Sequence, residues 1–257
     1  MLNVTSGPVD LTVFAPPSLY SYAKKNMQAH INTGNIQLKS DEEARNWDYI
    51  NVNVLPECIA GALCFAMDSD GNPVDANDIL ANNVLFVDIG GNTLDTMITT
   101  NGNFSIENLE HATLENAGVR TAILKPLASS IREAGGGLVG VTEDHVDAAL
   151  RHALMTGDWN LYWGDGTGVP IKDAVQKLAN AYGDWIANIL DNNFDSLKEI
   201  RRVVCFGGIT DLITPRLQNQ FSDKVMQFDD FKHTEDIHPV DANIMGGLRA
   251  AKRRQKA

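Results

Sequence analysis

Four short stretches hold the residue types from which a phosphate-handling site can be built. In VDIGGNTLD, Val87–Asp95, an apolar β-branched run carries Asp88, then the pair Gly90 and Gly91, then Asn92 and Thr93. A glycine pair after a buried strand lets backbone N–H groups approach an anion with no Cβ in the way. An aspartate ahead of such a cradle would face a metal ion or its water shell, offsetting phosphate charge. Asn92 and Thr93 could then donate to phosphate oxygens. VVCFGGIT, Val203–Thr210, repeats the design with Gly207 and Gly208 followed by Ile209 and Thr210.

The other two stretches are LPECIAGAL, Leu55–Leu63, and DANIMGGLRAA, Asp241–Ala251. The first sets Glu57 at a helix start directly after a strand. A carboxylate there could polarise a water, or could simply stabilise the helix N-terminus. Each stretch is weak alone, because a strand followed by two glycines also makes an ordinary hairpin bulge. The order and separation of all four carry the signal. Thr210 could hydrogen-bond a ligand or cap a helix, and Asp95 could close the motif or cap a turn. A further glycine-rich run, WGDGTGV at Trp163–Val169, follows a helix instead of a buried strand and reads as a turn between elements.

The elements that must position these residues alternate along the chain. Strands are expected over Val9–Ala15, Asp48–Pro56, Asn83–Ile89, Thr93–Thr100, Phe104–Leu114, Arg201–Gly208 and Lys224–Phe228. Asn101–Asn103 has the chemistry of a hairpin turn. Helices are expected after Pro16-Pro17, over Glu57–Met67, and from Gly118, where Val119, Ile123, Leu127 and Ile131 recur at four-residue steps. Others follow over Thr142–Met155 with Thr142 as N-cap, from Pro170, over Ile209–Phe221 with a break near Pro215, and at the C-terminal end. Clustered strands separated by helices favour an α/β architecture with mixed sheets.

Composition bounds the function. The 257 residues are 44% hydrophobic and 21% charged, an ordinary globular balance, and no apolar run is long enough to span a membrane. No basic, apolar leader precedes the first strand, so a cytoplasmic location is the expectation. A formal net charge of −12 disfavours direct contact with nucleic acid. The basic run RAAKRRQKA reads as a solvated helix end, or as a contact for an acidic partner. The three cysteines, Cys58, Cys64 and Cys205, form no CxxC pair, which argues against a disulfide framework and a zinc site. Cys58 and Cys205 are expected in the core. His145 and His152 lie seven apart on one expected helix face, but no carboxylate or cysteine cluster accompanies them to suggest a metal site, and DSDGNPVDAND lacks the closing glutamate of a calcium loop.

These motifs together resemble the actin-like ATPases, a superfamily that includes the large heat-shock chaperones and sugar kinases. The ParM/StbA group of plasmid-segregation proteins is the most similar group. VDIGGNTLD resembles the second phosphate motif of that family and VVCFGGIT its adenosine motif. VLPECIAGAL and HPVDANIMGGLRA resemble its two connecting helices. The resemblance implies an α/β, ribonuclease H-like fold of two lobes with mixed sheets. One lobe would span 1–83, completed by the C-terminal helix 239–257, and the other 84–238. It implies ATP with Mg²⁺ as ligands. Asp88 would be the catalytic aspartate, linked to the metal through water, and Glu57 the residue orienting the attacking water. Gly90, Gly91, Asn92 and Thr93 would contact the phosphates, and Gly207, Gly208, Ile209 and Thr210 the nucleoside. The implied partners are further copies of the chain, in a filament, and a small DNA-binding adaptor, so that DNA is met only indirectly.

One family feature has no counterpart. An early hairpin bearing the first phosphate loop would precede VDLTVFAPP, Val9–Pro17, and no such motif is present. The expectation is therefore an incomplete first lobe with an unpaired sheet edge. Alternatives to a filament-forming segregation ATPase are a non-catalytic actin-like scaffold or truncated pseudo-ATPase, and another ATPase of the superfamily such as a sugar kinase.

Overall fold

Every residue of the strand Val84–Ile89 (β4) is buried, which is why the run reads as apolar apart from Asp88. Successive side chains of a strand point to opposite faces. Leu85, Val87 and Ile89 thus join one hydrophobic cluster, and Val84 and Phe86 another. The structure, a computed structural model, describes residues 6–31, 36–40, 43–74, 79, 82–104, 110–135, 138–164, 166–234 and 236–256.

β4 lies at the centre of a five-stranded mixed sheet. The other strands are Thr93–Thr99 (β5), Glu110–Glu115 (β6), Arg202–Gly207 (β9) and Val225–Met226 (β10), in the order β10-β9-β4-β5-β6. β4, β9 and β10 are parallel, β5 runs antiparallel to β4, and β6 runs antiparallel to β5. Asn101 and Gly102 adopt positive φ in the turn after β5, as an Asn-Gly turn requires. Part of the run Phe104–Leu114 lies outside the described residues, and β6 covers its end.

One face of this sheet is covered by helices. Lys125–Glu133 (α3) is preceded by a π-helical turn, Arg120–Leu124. Pro126 accounts for the π turn, since it has no N–H to continue the ordinary ladder. Glu143–Thr156 (α4), Lys172–Asn193 (α5) and Thr210–Phe221 (α6) complete the layer. Val119, Ile123, Leu127 and Ile131 all lie in the core under it, as their spacing predicts. Thr142 caps α4, its Oγ1 accepting from His145 N at 3.4 Å and its N–H donating to His145 Nδ1 at 3.1 Å. α6 runs unbroken through Pro215, contrary to the expected interruption. Ile213 and Leu217, both fully buried on either side of it, hold the helix in place. Trp163 of WGDGTGV ends the short strand Asn160–Trp163 (β7), and Thr167–Val169 belong to its antiparallel partner Thr167–Pro170 (β8), so Pro170 closes a strand and α5 starts later than expected.

On the other face, Glu57–Ala66 (α2) buries Cys58, Ala62 and Phe65 against Phe86, Phe206, Phe228 and Phe231. The C-terminal helix Ala242–Lys256 (α7) packs beside α2. A separate sheet holds Ser6–Ala15 (β1), Ile36–Ser40 (β2) and Glu43–Pro56 (β3) in the order β1-β3-β2, with helix Tyr20–Ile31 (α1) between β1 and β2. β1 and β3 run parallel, and β3 leads directly into α2. Among the described residues, no strand pairs with the outer edge of β1.

The basic C-terminal run is not simply a solvated helix end. Arg249 is buried, and Lys252 donates to the Ser69 carbonyl at 2.8 Å and Lys256 to Asn72 Oδ1 at 3.3 Å. All three cysteines are buried and free, and burial pushes Cys64 to about 11 and Cys205 to about 12. Among the described residues, no helix is long and apolar enough to cross a membrane.

Candidate functional site

Two of the glycine pairs meet because their strands are neighbours. β4 and β9 pair in parallel with Ile89 opposite Gly207, so both strands end at the same rim. Gly208 N–H donates to the Ile89 carbonyl at 3.1 Å and locks the two ends together. Gly207 has φ +108°, and a side chain there would collide with the backbone of Ile89. Only glycine permits this turn.

The Gly90-Gly91 turn joins β4 to β5 as a hairpin. Its carbonyls are bound to the segment that enters the π-helical turn. Gly118 N–H donates to Asn92 O at 3.1 Å, Val119 N–H to Gly90 O at 3.0 Å, and Arg120 N–H to Gly91 O at 2.8 Å. Tyr182 of α5 donates its hydroxyl to the Ala117 carbonyl and steadies that segment. A Cβ on Gly118 would stand 2.5 Å from Gly90 O, so the approach itself demands glycine. A Cβ on Gly91 would instead meet nothing within 4 Å. The turn thus has its back pinned and its front open.

In front of it is a cavity of about 560 Å³. It brings together Glu57, Asp88, Gly90, Gly91, Gly207, Gly208 and Ile209 of the residues expected from the sequence. Asn92, Thr93 and Thr210 do not line it. Thr93 Oγ1 donates to Asp95 Oδ2 at 2.9 Å, and Thr210 Oγ1 donates to the Gly207 carbonyl at 3.1 Å. Both hydroxyls serve the frame of the site. Asp95 does not cap a turn but is a buried residue of β5, also accepting from Thr113 Oγ1.

The remaining walls come from elements that sequence reasoning left out of the site. Asp147, Leu150, Arg151, Leu154 and Met155 of α4 form an apolar side with an ion pair, Arg151 Nε to Asp147 Oδ2 at 2.8 Å. A signal for this was present. α4 carries apolar residues beyond its core stripe of Val146, Leu150 and Ala153, and Met155 is 79% exposed. His238, Val240, Asp241 and Asn243, at the entry to α7, close the opposite side. Asn243 lies within the quoted DANIMGG run, but nothing local marks it out.

The electrostatics are acidic. Burial raises the Asp88 carboxyl to about 7, against the lowering effect of a 2.7 Å hydrogen bond from Asn243 Nδ2, with Asp95 and Glu57 raising it further. Glu57, half-buried in the first turn of α2, is raised by burial and then by Asp95. Among the described residues, no group of three or more side chains could hold a metal unaided. A divalent cation would fit only if shared with an anionic ligand. Buried Asp88, without an ion pair among the described residues, and the open front of Gly91 suit that pairing.

No protein-family profile and no curated protein matches the sequence. Solved structures do match in fold. An archaeal actin homologue in complex with ADP superposes on 100% of this chain and 74% of its own, with TM-score 0.71 and 13% identity. The actin-like protein Alp7A matches 98% of this chain and 69% of its own, with TM-score 0.69 and 16% identity. A ParM from a 15-stranded filament of Clostridium botulinum matches 94% and 66%, with TM-score 0.68 and 15% identity. The chain has the actin-like fold.

Proposed function

We propose that this actin-like chain binds a magnesium-complexed nucleoside triphosphate, ATP by preference, and assembles into filaments that serve plasmid or phage DNA segregation. One observation carries the nucleotide reading. Two glycine turns at the carboxyl ends of adjacent parallel strands open on one cavity, between an apolar wall and the carboxyls of Asp88 and Glu57. Ligands of open α/β sheets favour such strand ends. The ADP held by one fold neighbour and the filament formed by another support the reading.

In it, Gly90 and Gly91 receive the terminal phosphates, and Gly207, Gly208 and Ile209 take the nucleoside with the α4 wall. Asp88 would be the residue that holds the magnesium ion. That ion supplies positive charge to the phosphates, which would otherwise face Asp88 and Glu57 directly. Glu57 orients the water that attacks the terminal phosphate. The lobes are 1–83 with 239–257, and 84–238, and the nucleotide lies between them. Head-to-tail contact between copies is heterologous, and such contacts build open filaments. The net charge of −12 suits DNA attachment through a small basic adaptor.

Binding of a fluorescent ATP analogue, phosphate release, and ATP-dependent pelleting with electron microscopy test the proposal on the purified chain. Phosphate release that disappears in Asp88→Ala and Glu57→Ala supports it. Absence of nucleotide binding in the presence of Mg²⁺ overturns it. A second reading, a nucleotide-binding scaffold without turnover, draws on the cavity's cations. The described lining includes no lysine, and its one arginine, Arg151, is tied to Asp147. Filaments with ATP but no phosphate release would select that reading.

A further inference from the structure

We infer that Asn243 is a positioning residue that holds Asp88 in its metal-facing orientation while anchoring α7 to α2. The inference rests on the nucleotide reading above. The Asn243 amide spans three elements. Its Oδ1 accepts from Gly61 N–H of α2 at 2.8 Å, and its Nδ2 donates to Asp88 Oδ2 of β4 at 2.7 Å. Chemistry fixes the orientation of this amide. A backbone N–H can only donate, so the amide oxygen must face Gly61, and the NH₂ is then turned to the carboxylate.

Asp88 is 5% exposed, and among the described residues it has no cationic partner. Its Oδ2 is occupied by Asn243. Its other oxygen takes no hydrogen bond from a described residue, and Asp88 lines the cavity. Asn243 thus engages one oxygen and leaves the other for the ligand side. A neutral donor suits this task better than a lysine or arginine. It orients the carboxylate without cancelling the charge that an ion-binding aspartate needs. Asn243 sits in the first turn of α7 but makes no capping bond to its own helix, so its two contacts are both outward.

A double-mutant cycle separates this role from simple packing. The readout is the Mg²⁺ concentration giving half-maximal binding of a fluorescent ATP analogue to the full chain. In the wild-type background, Asn243→Ala is expected to raise that concentration about tenfold or more, the usual size of an outer-shell effect. In the Asp88→Asn background, the same change is expected to shift it less than about twofold, because the carboxylate it serves is gone. Equal shifts in both backgrounds, or no shift in either, overturn the inference and leave the nucleotide reading standing. Wild-type chain that binds no nucleotide at any Mg²⁺ concentration overturns both. If Asn243→Ala does not fold, Asn243→Ser takes its place in the cycle, with the same two outcomes.

Discussion

Asp88 and Asp95 stand directly opposite each other on the antiparallel strands β4 and β5, both buried. Like charges in that relation repel across a sheet. The fold limits the cost in two ways. Asp95 receives the hydroxyls of Thr93 and Thr113, and Asp88 the amide of Asn243. Burial still raises Asp88 to about 7. The folded chain thus holds this proton more tightly than the unfolded chain, where the carboxyl titrates near ~4. Stability from this group is complete below about pH 4, falls as pH rises to about 7, and is level above. Asp88→Asn, which keeps an acceptor for Asn243, is expected to stabilise the unliganded chain at pH 8 by about 1–4 kcal/mol. Urea denaturation at pH 5, 6 and 8 checks this. A gain that does not shrink toward pH 5 would show that Asp88 is ionised throughout.

Two glycines of the site are expected to fail in opposite ways. Gly207→Ala forces a side chain into φ +108° and into the Ile89 backbone. It should cost about 2 kcal/mol or more in stability, read as a lower urea midpoint. Gly91→Ala adds its Cβ to open space. Its melting should stay within about 0.5 kcal/mol of wild type. Nucleotide affinity should nevertheless drop, since the new methyl occupies the front of the cradle. Calorimetry beside a binding titration distinguishes the two. Normal binding by Gly91→Ala would remove the turn from the phosphate site.

The parts of this molecule that the sequence makes legible are those whose cause is local. β4 and β9 reveal themselves through apolar runs, and their glycine pairs through what a tight turn and a close approach require. The amphipathic spacing from Val119 to Ile131 is a local signal too, and so is the Thr142 cap. What stays hidden depends on partners far away in sequence. Asn243 reaches Asp88 across 155 positions, and the cavity face of α4 exists only because α4 returns past the ends of β4 and β9. Thr93 and Thr210 show the converse. Their hydroxyls suggest ligand contacts, but Asp95 and the Gly207 carbonyl, settled by strand pairing and by the turn, take them first.

Arg249 is the clearest residue whose type misleads. In sequence it belongs to a basic helix end, yet the residue is 2% exposed and its guanidinium donates to the carbonyls of Cys64, Met67 and His233. Cys64 belongs to the last turn of α2 and Met67 follows it, so the cation both caps that helix and meets the negative end of its dipole. Arg249→Met keeps most of the side-chain volume and removes every donor. It should cost about 2–4 kcal/mol, because buried carbonyls lose their partners. Lys252→Ala, which frees only the Ser69 carbonyl at the surface, should cost a few tenths, at most about 0.5 kcal/mol. Denaturant midpoints of the two variants test the contrast, and equal losses would contradict the capping role.

The α4 wall makes the last prediction. Leu154 and Met155 line the cavity, and Met155 projects 79% exposed with little packing to lose. A nucleoside in the cavity would cover both side chains. Met155→Ser should therefore leave stability within about 0.5 kcal/mol of wild type. It should weaken nucleotide binding by about threefold to tenfold, the worth of roughly one apolar contact. In the proposed orientation, with the nucleoside against Leu154 and Met155 and the terminal phosphates at Gly91, the loss should be the same for the di- and triphosphate. Titrating both nucleotides into wild type and variant gives the answer. A loss confined to the triphosphate would place the terminal phosphates against α4 and reverse the orientation proposed for the ligand.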